Sequence, residues 1–145
     1  MNIFFTRIII FILISSDIFS KRLIFSYKSF FNGFSFIQTT INSWIAWSLP
    51  LNSTITIPLS IIFITVVIFL YYKKLLPQSF FILFIAWAIG NTYDRFVFDG
   101  VRDMFVFFDF FIFNLADIYL NLAIFAYIRG EVSHKSITTK KKGSY

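Results

Sequence analysis

The chain has 145 residues, of which 58% are hydrophobic and 14% charged, and its formal net charge is +6. So few charged residues cannot cover the surface of a soluble domain of this length, and we therefore predict a single membrane-embedded domain over residues 1–145. The sequence contains no cysteine and one histidine, His134, near its end. This composition excludes disulfides and thiolate chemistry and leaves no ligand set for zinc or haem, so we expect no metal and no cofactor.

Many of the basic residues lie at the end of the chain. A tail at residues 129–145 is rich in bases, which is typical of a cytoplasmic segment that lies against an anionic membrane surface. Because the bases are not interleaved along one soluble face, we expect no nucleic-acid partner. The bases of this tail are Arg129, Lys135, Lys140, Lys141 and Lys142.

Four apolar segments lie at residues 3–19, 55–72, 76–91 and 110–127. Each is close to the roughly 20 residues that a helix needs to cross the hydrocarbon core of a bilayer. The first segment contains Asp17 and lacks a small-x-small cleavage site, so we expect it to be retained as a span. The predicted fold is an all-α membrane protein, a four-transmembrane-helix bundle with a small outer (periplasmic) loop or β-like region.

The distribution of charge predicts the orientation of these spans. Arg7, Lys73 and Lys74 fall on the same side as the basic tail, which predicts that both termini are cytoplasmic. The aspartates fall at or near the opposite, outer end of the spans. They are Asp17, Asp94, Asp99, Asp103, Asp109 and Asp117. The long first outer loop, residues 20–53, carries Trp44 and Trp47 and suits the headgroup level of the membrane.

Ionisable groups within spans are costly, so their default interpretation is functional. Asp17 has Lys21 one helical turn later, and this pair either anchors the end of the span or belongs to a site. In the last span, Asn114, Asp117 and Asn121 are spaced three and four apart and form a polar stripe. We expect this stripe to face the bundle, a water-filled cavity or a substrate, because lipid offers it no hydrogen-bond partner.

The stretch GNTYDRFVFDGVRDMF, residues 90–105, gathers further acids. We interpret Asp94 and Arg95 as a scaffold in which Arg95 holds the following loop, and Asp99 with Gly100 as a turn. Asp103 would lie about 21 Å from Asp117 if one straight helix joined them. For the two to cooperate the chain must double back, and the aromatic run between them allows a short extended or re-entrant return.

Two carboxylates brought together in a poorly hydrated site share one proton. One of them can then act as general base toward a water molecule while the other acts as general acid toward a carbonyl oxygen. If Asp103 and Asp117 meet in this way, the reaction class they indicate is peptide hydrolysis without a cofactor.

Four ordered motifs give the chain a family resemblance. GNTYDRFVFDGVRDM, residues 90–104, is similar to a GN-x-x-DR block followed by a glycine-containing turn and a catalytic aspartate, and FNLAD, residues 113–117, to FN-x-AD. DIFSK, residues 17–21, is similar to D-x-x-[ST]-K, and NSWIAWSL, residues 42–49, to a divergent N-x-G-x-[AS]-F. The chain therefore resembles the lipoprotein signal peptidases (signal peptidase II), four-span aspartic peptidases of the bacterial inner membrane.

The resemblance implies that Asp103 and Asp117 are catalytic and that no metal takes part. It implies removal of signal peptides from prolipoproteins, with cleavage before a diacylglyceryl-modified cysteine. The expected partners are lipid-modified signal peptides and membrane lipids, and we expect the protein to be a monomer. The side chains expected to position substrate or shape the site are Asp17, Lys21, Asn42, Asn91, Arg95 and Asn114. Trp44 and Trp47 depart from the glycine and phenylalanine that the family usually carries.

Two other functions remain open from the residues alone. A proton- or cation-coupled carrier would use Asp17 and Asp117 as titrating groups, although such carriers more often show inverted repeats or broken helices. A serine-lysine peptidase would use a serine near Lys21, such as Ser20. That interpretation leaves Asp103 and the FNLAD motif without a role.

Overall fold

The computed structural model describes residues 3–43, 53–108 and 110–142, with residues 131–142 described through their backbone alone. Trp44, Trp47 and Asp109 lie outside the described residues. Within the described ranges the helices are α1 (Ile3–Ser26), α2 (Lys28–Phe31), α3 (Ser53–Tyr72), α4 (Gln78–Phe98) and α5 (Leu115–Lys142). The strands are β1 (Ile37–Asn42), β2 (Val101–Phe107) and β3 (Phe111–Phe113).

The long helices confirm a mostly helical fold and are consistent with a membrane protein. Among the described residues, α1 and α3 are each long and apolar enough to cross a membrane. The boundaries differ from those predicted, because α1 and α4 continue to Ser26 and Phe98 instead of ending at residues 19 and 91. The segment predicted as a span at 110–127 becomes helical only at Leu115. Its first residues form β3 instead, and α5 then continues to Lys142 through most of the basic tail.

The helices are arranged with polar groups inside and apolar groups outside. On α1 the buried residues include Thr6, Asp17 and Lys21, whereas Phe11 and Phe19 are exposed. A soluble protein shows the opposite distribution. Exposed aromatic and aliphatic side chains along whole helices are typical of a surface that contacts lipid.

Helix α4 is the central element and packs against α1, α3 and α5. Small residues permit these close approaches, as they do in other membrane bundles. At Gly90 a β-carbon would lie 2.7 Å from Oδ2 of Asp17, so α1 and α4 can approach this closely only at a glycine. On its other face α4 packs Phe84, Ile85 and Ala88 into a core cluster with side chains of α3 and α5.

An antiparallel sheet in the order β1-β2-β3 caps one end of the bundle. Asp99 ends α4 in the left-handed conformation, with φ 56°, and Gly100 follows it. A β-carbon on Gly100 would lie 2.6 Å from Cγ2 of Ile41, so glycine lets β2 approach β1. In the register that results, Thr40 on β1 stands opposite Asp103 on β2.

The β2–β3 hairpin supplies the return that the aromatic run allowed. Phe105 pairs with Phe113 and Phe107 with Phe111, so the chain leaves the bundle along β2 and comes back along β3. The return ends at the start of α5, which carries Asp117 in its first turn. Asp103 and Asp117 are therefore brought to the same end of the bundle.

Candidate active site

Asp103 is held by two amides from different elements. It lies on β2 with only 2% of its surface exposed. Its Oδ1 accepts a hydrogen bond of 2.7 Å from the side-chain amide of Asn114, and its Oδ2 accepts one of 2.9 Å from that of Asn42 on β1. The carboxyl group is thus fixed in both position and rotation.

The surroundings of Asp103 favour its protonated form. Burial, which removes water from the carboxylate, raises the pKa of Asp103 from 3.8 to about 6. The hydrogen bonds from Asn114 and Asn42 oppose this rise, while the negative charge of Asp117 adds to it and the positive charge of Lys21 lowers it. A carboxyl group with a pKa near 6 can carry a proton in a site that works close to neutral pH.

Asp117 lies in the first turn of α5, and among the described residues its carboxylate accepts hydrogen bonds from N–H groups alone. Its backbone N–H donates to Oδ1 of Asn114, and its Oδ2 accepts from the backbone N–H of Asn114, both at 3.1 Å. This reciprocal pair is a capping box, which begins the helix and fixes the carboxylate in one step. The other oxygen, Oδ1, accepts from Asn91 at 3.0 Å and from the indole of Trp87 at 3.2 Å.

Asn114 connects the two carboxylates. Its oxygen caps α5 through Asp117, so its amide nitrogen must face the opposite way, toward Asp103. The residue is fully buried. The predicted dyad is therefore assembled through a single side chain that bonds to both of its members.

A buried ion-pair network supports the site from α1. The ammonium group of Lys21 lies 2.8 Å from Asp17 and 3.2 Å from Asp94, and it donates to Oδ1 of Asn91 at 2.9 Å. Because the Asn91 oxygen is engaged by Lys21, its amide nitrogen is directed toward Asp117. The pairing predicted for Asp17 and Lys21 is confirmed, and it lies inside the bundle, since α1 continues to Ser26.

Asp17 also fastens α1 to the start of α5. Its Oδ1 accepts a hydrogen bond of 3.0 Å from the backbone N–H of Ala116. That donor belongs to the first turn of α5, where a helix leaves N–H groups without internal partners. The same carboxylate thus joins Lys21, on its own helix, to the element that carries Asp117.

The interpretation of Arg95 as the residue that holds the loop after α4 is wrong, because Arg102 has this role. Asp94 Oδ2 accepts from the backbone N–H of Arg102 at 3.0 Å, and its Oδ1 accepts from the guanidinium at 2.7 Å. The guanidinium also lies over the ring of Phe98, 4.1 Å from its centroid. The chain turns back after α4, so Arg102 reaches Asp94 and Arg95 does not.

Arg95 instead lines a cavity between α3 and α4. The cavity has a volume of about 230 Å³ and its wall is largely apolar, with Leu59, Phe63 and Phe84 among its residues. Asn91 and Arg95 line it as well. Asn91 also donates to Asp117, so one residue of the cavity wall is hydrogen-bonded to that carboxylate.

The polar stripe predicted on the last span is only partly correct. Asn114 and Asp117 face the site, but Asn121 is exposed and donates to the backbone oxygen of Asp117 at 2.8 Å. Its amide is satisfied by its own helix, so it does not have to face the bundle.

Other chemistry finds less support in this arrangement. Within the ranges that the structure describes, no group of three or more histidine, cysteine or acidic side chains could hold a metal ion. The hydroxyl of Ser20 donates to the backbone oxygen of Asp17 at 2.9 Å, while the ammonium group of Lys21 is taken up by Asp17, Asp94 and Asn91. This geometry gives the serine-lysine interpretation no support.

Trp87 is the site residue that our sequence analysis missed. Trp87 lies four residues before Asn91, and Arg95 lies four residues after Asn91. One face of α4 therefore carries all three. This spacing is the signal in the sequence that could have placed Trp87 in the site. A tryptophan in an apolar span is more often a packing residue, and only its contact with Asp117 distinguishes it.

Comparison with known proteins agrees with this geometry. The model of the family described as Signal peptidase (SPase) II matches residues 9–131. The chain is 32% identical over 94 residues to a lipoprotein signal peptidase of Pelagibacter ubique (strain HTCC1062), covering 62% of this chain and 57% of that relative. The match thus spans little more than half of the relative's own length.

Solved structures show the same fold. A bacterial membrane enzyme determined by the in meso method at 2.3 Å resolution has a TM-score of 0.76 and 23% identity, over 92% of this chain and 91% of that one. A second, determined by the same method at 1.9 Å, has a TM-score of 0.74 and 22% identity, over 88% and 92% of the respective chains.

Proposed function

This chain belongs to the signal peptidase II family, and from that premise we propose that it is an aspartic endopeptidase that removes signal peptides from prolipoproteins. The family match over residues 9–131 confirms the resemblance indicated by the four motifs. The scissile bond precedes a cysteine that carries diacylglycerol. A carrier using Asp17 and Asp117 is not favoured, since Asp17 is neutralised by Lys21 within the bundle.

The observation that carries this proposal is the link between Asp103 and Asp117 through Asn114. Asp117 is the general base, because N–H donors surround its carboxylate. Asp103 is the general acid, because burial raises its pKa to about 6. Two carboxylates that differ in this way divide the work of hydrolysis between them.

Hydrolysis then proceeds without a covalent intermediate. Asp117 takes a proton from a water molecule whose oxygen attacks the carbonyl carbon, and Asp103 gives its proton to the carbonyl oxygen. The tetrahedral intermediate collapses when the bond to nitrogen breaks. The proton held by Asp117 passes to the leaving amine, and Asp103 recovers a proton from the hydroxyl group as the new carboxyl group forms.

The remaining site residues bind or orient. The cavity between α3 and α4 receives the apolar substrate, and Arg95 offers a positive charge at its wall. Asn91 and Asn114 orient the dyad. Asn42 fixes Asp103 from the sheet, while Asp17 and Lys21 set the position of Asn91 and of the first turn of α5.

The placement in the membrane follows from the same function. We infer four spans, formed by α1, α3, α4 and α5, in one peptidase domain over residues 1–145. Both termini face the cytoplasm of a bacterial cell, and the dyad faces outward at the boundary of the inner membrane. A substrate held by its lipid and by its helical signal peptide presents its scissile bond at that level. The enzyme works as a monomer.

The test is a pair of substitutions with a matched control. We expect Asp103→Asn and Asp117→Asn each to lower the rate of processing of a lipid-modified prolipoprotein by about 10³-fold or more, because each removes one partner of a proton relay. Asp99→Asn is the control, since Asp99 is exposed and asparagine also tolerates its left-handed conformation. Full processing by either dyad variant in purified membranes would remove that residue from the mechanism.

A further inference from the structure

Trp87 contacts both parts of the site, the dyad and the cavity. Its indole N–H donates to Oδ1 of Asp117 at 3.2 Å. Its ring forms part of the cavity wall together with Phe84 and Ala88. Two residues of the cavity wall, Asn91 and Trp87, are hydrogen-bonded to Asp117, and Trp87 has the larger side chain.

The ring of Trp87 is held on more than one side. It meets the ring of Phe84 edge to face, with 5.2 Å between centroids. It also packs against the buried cluster of Ala86, Ala116 and Tyr119, which joins α4 to α5. A ring fixed in this way aims its N–H in one direction, toward Asp117.

We propose that Trp87 is a positioning residue, whose N–H orients Asp117 while its ring limits the substrate group that lies beside that carboxylate. The proposal rests on the proposed peptidase function. It adds a residue that neither the motifs nor the family resemblance brought into the site.

The chemistry of indole gives this contact a consequence that an amide would not have. An indole nitrogen can only donate, whereas an asparagine side chain can rotate and present its oxygen. Trp87 therefore cannot stabilise a proton on Oδ1 of Asp117. Because Asn91 and Trp87 both donate to Oδ1, the proton that Asp117 takes from the attacking water is directed to Oδ2.

The charged groups around Asp117 come from three other elements. Arg95 on α4 attracts its negative charge, and Asp103 on β2 opposes it. Lys21 on α1 acts through Asn91, to which it donates. Substitution of Trp87 leaves all of these groups in place, so a change in the pH profile reports the loss of the indole N–H.

The first experiment uses Trp87→Phe, which keeps an aromatic ring in the wall and removes the N–H. In purified enzyme with a lipid-modified peptide substrate, we expect kcat to fall about 10-fold with little change in KM. We also expect the acidic limb of the kcat profile to move to higher pH, because ionised Asp117 loses a donor. A purely structural role would lower the yield of folded enzyme and leave that limb in place.

The second experiment separates the ring from the N–H. Trp87→Leu lacks both, so its comparison with Trp87→Phe isolates the volume of the ring. Two lipopeptides are compared that differ only in the residue before the modified cysteine, alanine or leucine. We expect the kcat/KM ratio of the leucine peptide to the alanine peptide to be near the wild-type value for Trp87→Phe and to rise several-fold for Trp87→Leu.

The outcomes distinguish this proposal from the function on which it rests. If the wild-type chain leaves both lipopeptides uncut, the peptidase function itself is overturned. If the wild type cuts and Trp87→Phe retains its kcat and its pH profile, the positioning role alone is overturned. An unchanged substrate ratio in Trp87→Leu would remove the role of the ring in selectivity.

Discussion

Asn114 shows at the residue scale how one side chain can organise the proposed catalytic pair. Its oxygen accepts from the backbone of Asp117 and its nitrogen donates to Asp103. With either hydrogen bond alone, the side-chain amide of Asn114 could still rotate. Together they fix it, so the geometry of the proposed dyad depends on a residue to which the proposed mechanism assigns no proton transfer.

Burial of Asp103 makes stability depend on pH at this residue. With a pKa of about 6 in the folded chain against an ordinary 3.8, Asp103 binds more proton folded than unfolded between these values. The free energy of unfolding therefore falls as the pH rises through this window, by up to about 3 kcal/mol, and is constant above it. The burial that raises the pKa of Asp103 for its proposed role therefore lowers the stability of the folded chain at higher pH.

We expect Asp103→Asn to raise the melting temperature by several degrees at pH 8 and to have little effect near pH 4, where wild-type Asp103 is already protonated. Asparagine keeps the shape of the side chain, and Asn42 can rotate its amide to accept from it. Thermal unfolding of the purified protein in detergent at both pH values measures this. Equal shifts at the two pH values would show that burial of the ionised group is not the cause.

Sequence reasoning at this scale was limited by the path of the chain. Asp103, Asp117 and Asn114 were identified because their motifs are local and ordered. The partner of Asp94 was not, since Arg102 lies eight residues away and reaches it only after the chain has turned back into β2. Adjacency in the sequence, which favoured Arg95 as the partner of Asp94, carries no information about such a turn.

The β2–β3 hairpin is the element that makes the site possible. Without it, the residues between the two aspartates would extend the last helix toward the outside and separate them. A run of phenylalanine is equally compatible with a membrane helix and with a strand, so the sequence predicted the last span several residues too early. Asn114 is the residue that marks the true start of the helix, because its side chain caps the first turn of α5.

The approach of β2 to β1 gives a prediction for Gly100. In Gly100→Ala the new β-carbon would meet Cγ2 of Ile41 at 2.6 Å and the backbone oxygen of Asn42 at 3.2 Å. We expect β1 to be displaced, which weakens the bond from Asn42 to Asp103 and lowers both activity and stability, the latter by about 1–3 kcal/mol. Thermal unfolding and peptide cleavage measure the two effects.

Two further variants test the cause. Ile41→Ala removes the methyl group that the new β-carbon would meet, so adding it to Gly100→Ala should restore part of the stability. Gly130→Ala is the matched control, since no atom lies within 4 Å of its added carbon, and alanine favours a helix by up to about 1 kcal/mol. No loss of stability in Gly100→Ala would show that the strands can separate without cost.

At the scale of the whole molecule, the outer surface is apolar and the interior holds the charges. Composition alone predicted a membrane protein, in which such an inversion is expected, and the apolar runs predicted the long helices. It could not predict which helix lies at the centre. That position belongs to α4 because small residues such as Gly90 let α1 approach it, a property of packing rather than of hydropathy.

The proposed orientation predicts which surfaces a reagent can reach. Because the chain has no cysteine, single substitutions give an unambiguous label. Ser35→Cys, before β1, and Ser79→Cys, near the start of α4, are both exposed and nearly isosteric. In intact spheroplasts we expect a membrane-impermeant thiol reagent to label the first alone, and to label both after the membrane is permeabilised. Labelling of Ser79→Cys in intact spheroplasts would invert the topology.

The charged groups gathered around the dyad also have a consequence for the resting enzyme. Four carboxylates, of Asp17, Asp94, Asp103 and Asp117, lie among three cations, those of Lys21, Arg95 and Arg102. The group is electrically neutral only when it holds one extra proton. In a region poor in water, an uncompensated charge has a high free-energy cost. Electroneutrality of the bundle thus favours uptake of one proton before any substrate arrives, and this is the proton that the proposed mechanism requires.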